Sequence, residues 1–454
     1  MTRTTPARGS EAVNVPEGWS LLPLEDLCTL VNGRGFKPHE WREEGIPIVR
    51  IQNLNGSKIF NYFQGDYESK ILLQNGELLF AWSGSRGTSF GPHIWRGDTA
   101  LLNYHTWKVI HKNGVADKTF LFYCLKNLTS KIEDNAHGAS ALVHTQKSEM
   151  ERMVILLPLL LEQTKIAQIL STWDEALENL KALLEQKRRL KKGLMQQLLT
   201  GRVRFKEFEA RGEAWEEAKL GDIGRVIDPH PTHRAPPEYP GGIPFVGIGD
   251  ISEYGVLDLS TVRRVNPSVY QDHAKIYIIE KGDFAYGRVA SIGKVIMFND
   301  TSQKFVLSPT MALIKLNSGV CKDFVRFAMQ EDGLTRRIKG SASGSTRQSM
   351  GITKLREVII PFPPLEEQRK IAFVLSTLDQ EISTLEEEKA ALEVQKRGLM
   401  GLLLTGKVRV EVGGAADALG SAFTALEGEE EDVEAREAFW LEVDEGMAAG
   451  PLED

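Results

Sequence analysis

Twice along the chain the pattern of apolar positions narrows from short β-branched runs to one long, thin stripe. From Ile371 onward, Leu375, Leu378, Ile382, Leu385, Leu392, Leu399 and Leu403 recur at alternating steps of three and four, with Lys389 and Lys396 in the gaps. Ile166, Leu170, Trp173, Leu177, Leu180, Leu184, Leu194 and Leu198 make the same stripe earlier, with Lys187 and Lys191 in its gaps. Such spacing is the seam of a coiled coil and not a broad core face. Proline stops the strand before each stripe, Glu162-Gln163 and Glu367-Gln368 put acid in the first turn, and Thr-Gly closes the helix. About 38 helical residues at 1.5 Å each predict a rod of roughly 57 Å. Two rods with matched seams, joined by a long globular return, predict an antiparallel pair.

The stripes are copies. PLLLEQTKIAQILSTWDEALENL from Pro158 returns as PPLEEQRKIAFVLSTLDQEISTL from Pro363, and GLMQQLLTGRVR from Gly193 as GLMGLLLTGKVR from Gly398. About 22 of 48 positions agree without a gap, which establishes a tandem duplication. The modules before each rod are related more faintly. GIPIVRIQNLNG at Gly45 resembles GIPFVGIGDISEYG at Gly242, Trp19 and Leu24 echo Trp215 and Leu220, and NGELLFAWSGS at Asn75 matches the character of KGDFAYGRVAS at Lys281. Short β-branched runs broken by Gly and polar turns predict strand-rich mixed α/β (α+β) modules. The expected boundaries are a first module over 1–157 with a flexible start over 1–16, a helical segment over 158–205, a second module over 206–357, a second helical segment over 358–410, and a tail over 411–454.

Charge alters this picture at one point. A net charge of -7 opposes binding to phosphates, but residues from Glu411 to the end carry about 14 acids against Arg436 alone, leaving about +6 on the body. The longest apolar stretch, Val154 to Leu161, is interrupted by Pro158 and too short to span a bilayer, and the N-terminus has no apolar core for secretion. Cys28, Cys124 and Cys321 lie far apart, which predicts neither a zinc site nor a disulfide framework and points to a reducing cytoplasm.

Motifs for catalysis are missing from the sequence. There is no N-P-P-[YF] or D-P-P-[YF] run, no G-x-G-x-x-G opening a βαβ unit, no H-E-x-x-H, and no nucleophile elbow. GRVASIGKV at Gly287 fails as a phosphate loop, because its glycines are one residue too far apart and Val295 stands where Ser or Thr would bind magnesium. No catalytic, cofactor or metal residues are therefore assigned. What remains are loops mixing bases, small polar residues and aromatics. In the first module these carry Ser85, Arg86, Tyr104, His105, His144, Gln146 and Lys147; in the second, Tyr286, Arg288, Arg336, Arg337, Lys339, Thr346, Arg347 and Gln348. Arg and Lys neutralise phosphates, Gly and Ser admit the backbone closely, and Arg347 or Gln348 can pair bidentately with guanine or adenine. The EQKRRLKK run from Glu185 reads as a solvated helix face, with DNA-backbone contact as its alternative.

The run P-x-L-x-EQ-x-KIA-x-x-L-S-T-x-D, followed by the seam and GLM-x-x-LLTG, resembles the specificity (S) subunits of type I restriction-modification enzymes. The resemblance covers residues 17–410 in layout. It implies two target-recognition domains separated by two long antiparallel coiled-coil helices in a pseudo-twofold tandem repeat. Each domain would read half of an asymmetric bipartite site in double-stranded DNA, with the helices as a ruler. It also implies docking of two methyltransferase subunits and, through them, restriction-translocase subunits; S-adenosylmethionine, ATP and magnesium would belong to those partners. Leu160, Gln163, Ile166, Leu170, Leu177, Leu365, Gln368, Ile371, Leu375 and Ile382 are the residues carried over to spacing and docking. The acidic tail departs from the family pattern. Two other readings stay open: the specificity subunit of a related type II system, and a coiled-coil scaffold that binds protein and not DNA.

Overall fold

The computed structural model describes residues 14–135, 142–230, 234–250, 259, 262–298, 301–342 and 348–411. They form two compact units, one holding the described residues up to Asn179 and from Lys389 onward, the other Leu180–Glu388. Each long helix, Leu160–Leu198 and Leu365–Leu404, begins in one unit and ends in the other. The helical segments expected to stand apart from the modules are thus shared between them. The cause is packing: Leu194, Leu198, Ile371, Leu375 and Leu378 enter the second unit's core, and Ile166, Leu170, Met400, Leu403 and Leu404 the first's.

In the first unit, an antiparallel sheet runs in the order Cys28–Asn32, Thr106–His111, Leu78–Ala81, Gly91–Ile94. Leu78–Ala81 is buried along its whole length. Side chains alternate across a strand, so Leu78 and Phe80 join the core that holds helix Lys118–Asn135, while Leu79 enters a second core. That second core covers the sheet Asn61–Phe63, Ile46–Val49, Ala100–Leu102, Leu72–Leu73, in which Ile48 and Leu101 are parallel partners.

The second unit keeps the same plan. Its sheet order is Gly224–Ile227, Met311–Leu316, Phe284–Gly287, Val295–Met297. Phe284 and Tyr286 face one core and Ala285 the other. A smaller sheet again contains a parallel pair, Phe245 with Val306. The faint module resemblance in sequence is therefore a shared strand order. In each unit a two-stranded ribbon, Ser20–Pro23 with Val154–Leu157 or Glu216–Lys219 with Ile359–Phe362, leads into a long helix.

Within each unit the helix halves run antiparallel, early residues of one beside late residues of the other. The lysines in the stripe gaps are tied to acids: Lys187 to Glu381 at 2.8 Å, Lys191 to Asp379, Lys396 to Asp174, and Lys389 to Glu393 at 3.2 Å. Each helix ends at a left-handed glycine, Gly201 at φ 70° and Gly406 at φ 64°. The next amide then reaches back five residues, Arg202 to Gln197 O and Lys407 to Leu402 O, both at 3.1 Å.

The repeated Glu-Gln pairs are internal clamps. Glu162 accepts from Trp19 Nε1 at 3.1 Å and from Arg409 Nε and Nη2 at 2.7 and 2.9 Å. Glu367 accepts likewise from Trp215 Nε1 at 2.9 Å and from Arg204 Nε and Nη2 at 3.0 and 2.7 Å. Each arginine follows the other repeat's helix, so one copy supplies the carboxylate and the other the guanidinium. Gln163 bonds Pro158 O, Val115 O and the Asp117 amide; Gln368 bonds Pro363 O and the Cys321 amide.

Among the described residues, no helix is long and apolar enough to cross a membrane.

Candidate nucleic-acid interface

In the first unit, three segments singled out in the sequence converge. Strand Ser83–Ser85 pairs with Leu142–His144, setting Ser83 opposite His144 and Ser85 opposite Leu142. Trp82 Nε1 donates to Tyr104 O at 2.9 Å, and the Thr145 amide to Trp82 O at 3.0 Å. The Tyr104 and His105 rings lie 3.7 Å apart, and Trp82 meets His105 edge-on at 5.3 Å. Burial, and then the Arg50 charge, push the His105 pKa down, which favours a neutral imidazole with one donor and one acceptor. Tyr104 is 45% exposed, and Arg86, His144 and Gln146 are also exposed. Lys147, half-buried, pairs with Glu151 at 3.5 Å. An aromatic platform edged by amide, imidazole and guanidinium groups can stack and hydrogen-bond with bases. Arg50 was missed as a support.

In the second unit, helix Asp332–Ser341 buries Leu334 and Ile338 and presents Arg336, Arg337 and Lys339 outward. After it, Ser349 bridges Val289, and the Ala290 amide donates to Gln348 O at 3.0 Å, leaving the Gln348 side chain exposed. The Val289–Ser349 bridge occupies the same place in the repeat as the Ser83–His144 pairing. Both modules thus offer different residues at one shared edge. Thr346 and Arg347 lie outside the described residues, as do the expectations for residues 1–13 and for the tail beyond Glu411.

Two expected readers are corrected. Tyr286 is fully buried in a central strand, and Arg288 is 7% exposed. Arg288 Nη2 donates to Asp228 Oδ2 at 3.1 Å and its Nε to Met311 O at 3.1 Å, so its charge is committed inside the unit. A strand buried on both faces shows no polar alternation, which is why the run FAYGR passes for a loop in sequence.

The docking expectation is corrected in the same way. Gln163, Ile166, Leu170, Leu177, Gln368, Ile371, Leu375 and Ile382 are buried, so they serve the core and seam and present nothing to a partner. Leu160 stays 41% exposed and Leu365 half-buried. Exposed apolar side chains lie instead at Leu159, Leu161, Phe373 and Val394, at 60–72% exposure. Arg188, Lys191 and Lys192 of the basic run pair with Glu386, Asp379 and Asp332, which favours the structural reading of that run over DNA contact. Among the described residues, no group of three or more His, Cys, Asp or Glu is placed to hold a metal ion. Burial pushes the Cys28 thiol up to about 12, well away from nucleophilic use.

The family model for the type I restriction modification DNA specificity domain matches residues 16–186 and again 212–394. The chain belongs to that family. The MjaVIII type I restriction enzyme specificity subunit of Methanocaldococcus jannaschii is 26% identical over 414 residues, covering 88% of this chain and 95% of the relative. The EcoBI specificity subunit of Escherichia coli is 22% identical over 381 residues, covering 79% of each. Among solved structures, the S subunit of a type I restriction-modification system from M. genitalium aligns with TM-score 0.52 at 18% identity, covering 88% of this chain and 98% of that one. A chain from a structural study of type I complex assembly and conformational transition aligns with TM-score 0.51 at 16% identity, covering 87% and 100%. At those identities the likeness to the solved structures concerns the fold, and the specificity-subunit family fits the two matched module-and-helix repeats.

Proposed function

We propose that this chain is the non-catalytic DNA-reading subunit of a type I restriction-modification complex, each unit reading one half of an asymmetric bipartite site. The observation that carries the reading is the shared edge at Ser83–His144 and Val289–Ser349, where one duplicated scaffold presents two unlike sets of side chains. In the first unit, Ser85, Arg86, Tyr104, His105, His144, Gln146 and Lys147 form the reading surface; in the second, Arg336, Arg337, Lys339 and Gln348. Phosphate contacts fix register, and base-edge contacts from the aromatic platform and the amides select sequence.

The two long helices fix the tolerated spacer between half-sites. Exposed apolar residues off the seam, Leu159, Leu161, Phe373 and Val394, offer docking surface to two methyltransferase subunits, through which restriction subunits join. Flipping and methylating adenine, with S-adenosylmethionine, belongs to those partners, as do ATP and magnesium.

Exchanging residues 216–350 for those of a relative, then mapping methylated adenines across the host genome, tests the reading. One half-site changes and the other stays. Change in both half-sites, or in neither, refutes it. The scaffold alternative predicts no salt-dependent DNA binding even with methyltransferase subunits present.

A further inference from the structure

The repeated motif after each long helix carries two bases with different fates. In GRVR, Arg204 is locked onto Glu367; in GKVR, Arg409 is locked onto Glu162. The first base of each, Arg202 or Lys407, is exposed and has no acidic partner among the described residues. In the second unit Arg202 does not stand alone. It lines a concavity of about 310 Å³ together with Arg336, Arg337, Gln196, Thr200, Glu331 and Gly333.

The charges there are uneven. Glu331 is the only carboxylate of the lining, is 8% exposed, and accepts from the Leu334 amide at 2.7 Å, where it caps helix Asp332–Ser341. Its charge is thus set against the positive end of that helix. The nearby Asp332 is tied to Lys192 at 3.0 Å. Arg336 uses its Nε on Asp332 O at 3.3 Å, and neither Arg336, Arg337 nor Arg202 forms an ion pair among the described residues. Three arginines lining one hollow repel one another, and an anion bound among them relieves that repulsion. Their forked donors match phosphate oxygens.

We infer that Arg202, Arg336 and Arg337 form a pocket for a phosphate of the DNA backbone, making the end of the first long helix a sequence-independent contact. The inference rests on the DNA-reading function proposed above and adds to it a residue outside the recognition module. The repeat supports it: Lys407 holds the position of Arg202 in the first unit and is likewise exposed. A base at this point is kept in both copies, within a stretch that the two copies share. Backbone binding needs only that charge, while the reading edges are free to diverge.

The test uses the full chain in complex with its methyltransferase subunits and two DNA duplexes of unrelated sequence. Affinity is measured by fluorescence anisotropy between about 50 and 200 mM salt. Arg202→Gln, Arg336→Gln and Arg337→Gln each weaken binding to both duplexes equally. Each flattens the slope of log K against log salt by about 0.9, so each variant loses about threefold less affinity across that range than the parent. Arg202→Lys retains most of the slope. Arg225→Gln, an exposed base outside the pocket, serves as the charge control and leaves the slope unchanged.

An unchanged slope in the pocket variants, with the parent binding DNA normally, overturns the pocket alone. So does an effect confined to one duplex, which would mark a base reader, or loss of the methyltransferase subunits on purification, which would mark a protein contact. A parent complex with no salt-dependent DNA binding overturns the DNA-reading proposal as well.

Discussion

The crossed clamps predict that a lesion in one repeat weakens the unit built around the other. Consider Arg409→Met. The Glu162 side chain is 4% exposed and would keep only the Trp19 N–H as a side-chain partner. Breaking a fully buried pair costs about 3–5 kcal/mol. Arg409 is itself 46% exposed, so water screens the pair and the estimate falls to about 2 kcal/mol. For a unit of this size that is a drop of about 4–8 °C in Tm. Hydrogen exchange by mass spectrometry locates the damage. Arg409→Met speeds exchange in the ribbon Ser20–Pro23 and in the first turns from Leu160, both in the first unit. Arg204→Met does so at Glu216–Lys219 and from Leu365, in the second. Burial raises the Glu162 pKa, but the Arg409 hydrogen bonds and charge outweigh it and hold the carboxyl below its ordinary value. The clamp's contribution is therefore complete above the unfolded pKa and is lost as pH falls through the lower folded one. The difference between parent and Arg409→Met should shrink accordingly in acid. Faster exchange at Glu216–Lys219 in Arg409→Met, or a difference that grows on acidification, would refute the crossed arrangement.

Gly406→Ala places a Cβ 2.5 Å from Pro16 Cγ at φ 64°, and should cost about 1–3 kcal/mol, read as a lower melting midpoint. Arg288→Met removes the buried member of the Asp228 pair together with its bond to Met311 O and should destabilise by up to about 3 kcal/mol; a base reader would instead change the methylated sequence at constant Tm. In the second unit, Tyr277, His273 and His230 form a buried chain, with 3.2 Å from Tyr277 to His273 Nδ1 and 2.9 Å from His273 Nε2 to His230 Nδ1. Burial, then the His230 charge, lower the His273 pKa, so its contribution is full above the unfolded histidine value and declines as pH falls below it. Hydrogen exchange in Pro267–Ala274, taken relative to the intrinsic amide rate at each pH, should rise as pH falls from about 7 to 5, and His273→Asn should remove that dependence.

The duplication, both long helices and their Thr-Gly ends were legible because they are local: periodicity, capping and copying need no partner residue. The role of Glu-Gln was not, since Arg409 is far from Glu162 in sequence and nothing local joins them. The stripe gaps at Lys187, Lys191 and Lys396 were visible, but the acids that fill them sit on the other helix. At the candidate interface, exposed loops such as Tyr104-His105 were read correctly as surface. Tyr286 and Arg288 were misjudged because a doubly buried strand lacks the alternation that distinguishes inside from outside. For Trp82, the part that sequence could not show is its contact with backbone at Tyr104 and Thr145.

The division of each helix between units also bears on the order in which the molecule is made. Among the described residues the second unit is one continuous stretch, Leu180–Glu388, and can close as soon as that stretch leaves the ribosome. The first is interrupted after Asn179 and lacks Met400, Leu403, Leu404 and the Arg409 clamp until those residues have been added. At roughly 5–20 residues per second, the wait lasts roughly 10–50 s. Throughout it, Ile166 and Leu170 lack the apolar neighbours that complete their core. The unit translated first is the one that matures last, which makes it the part of the nascent protein most in need of a chaperone.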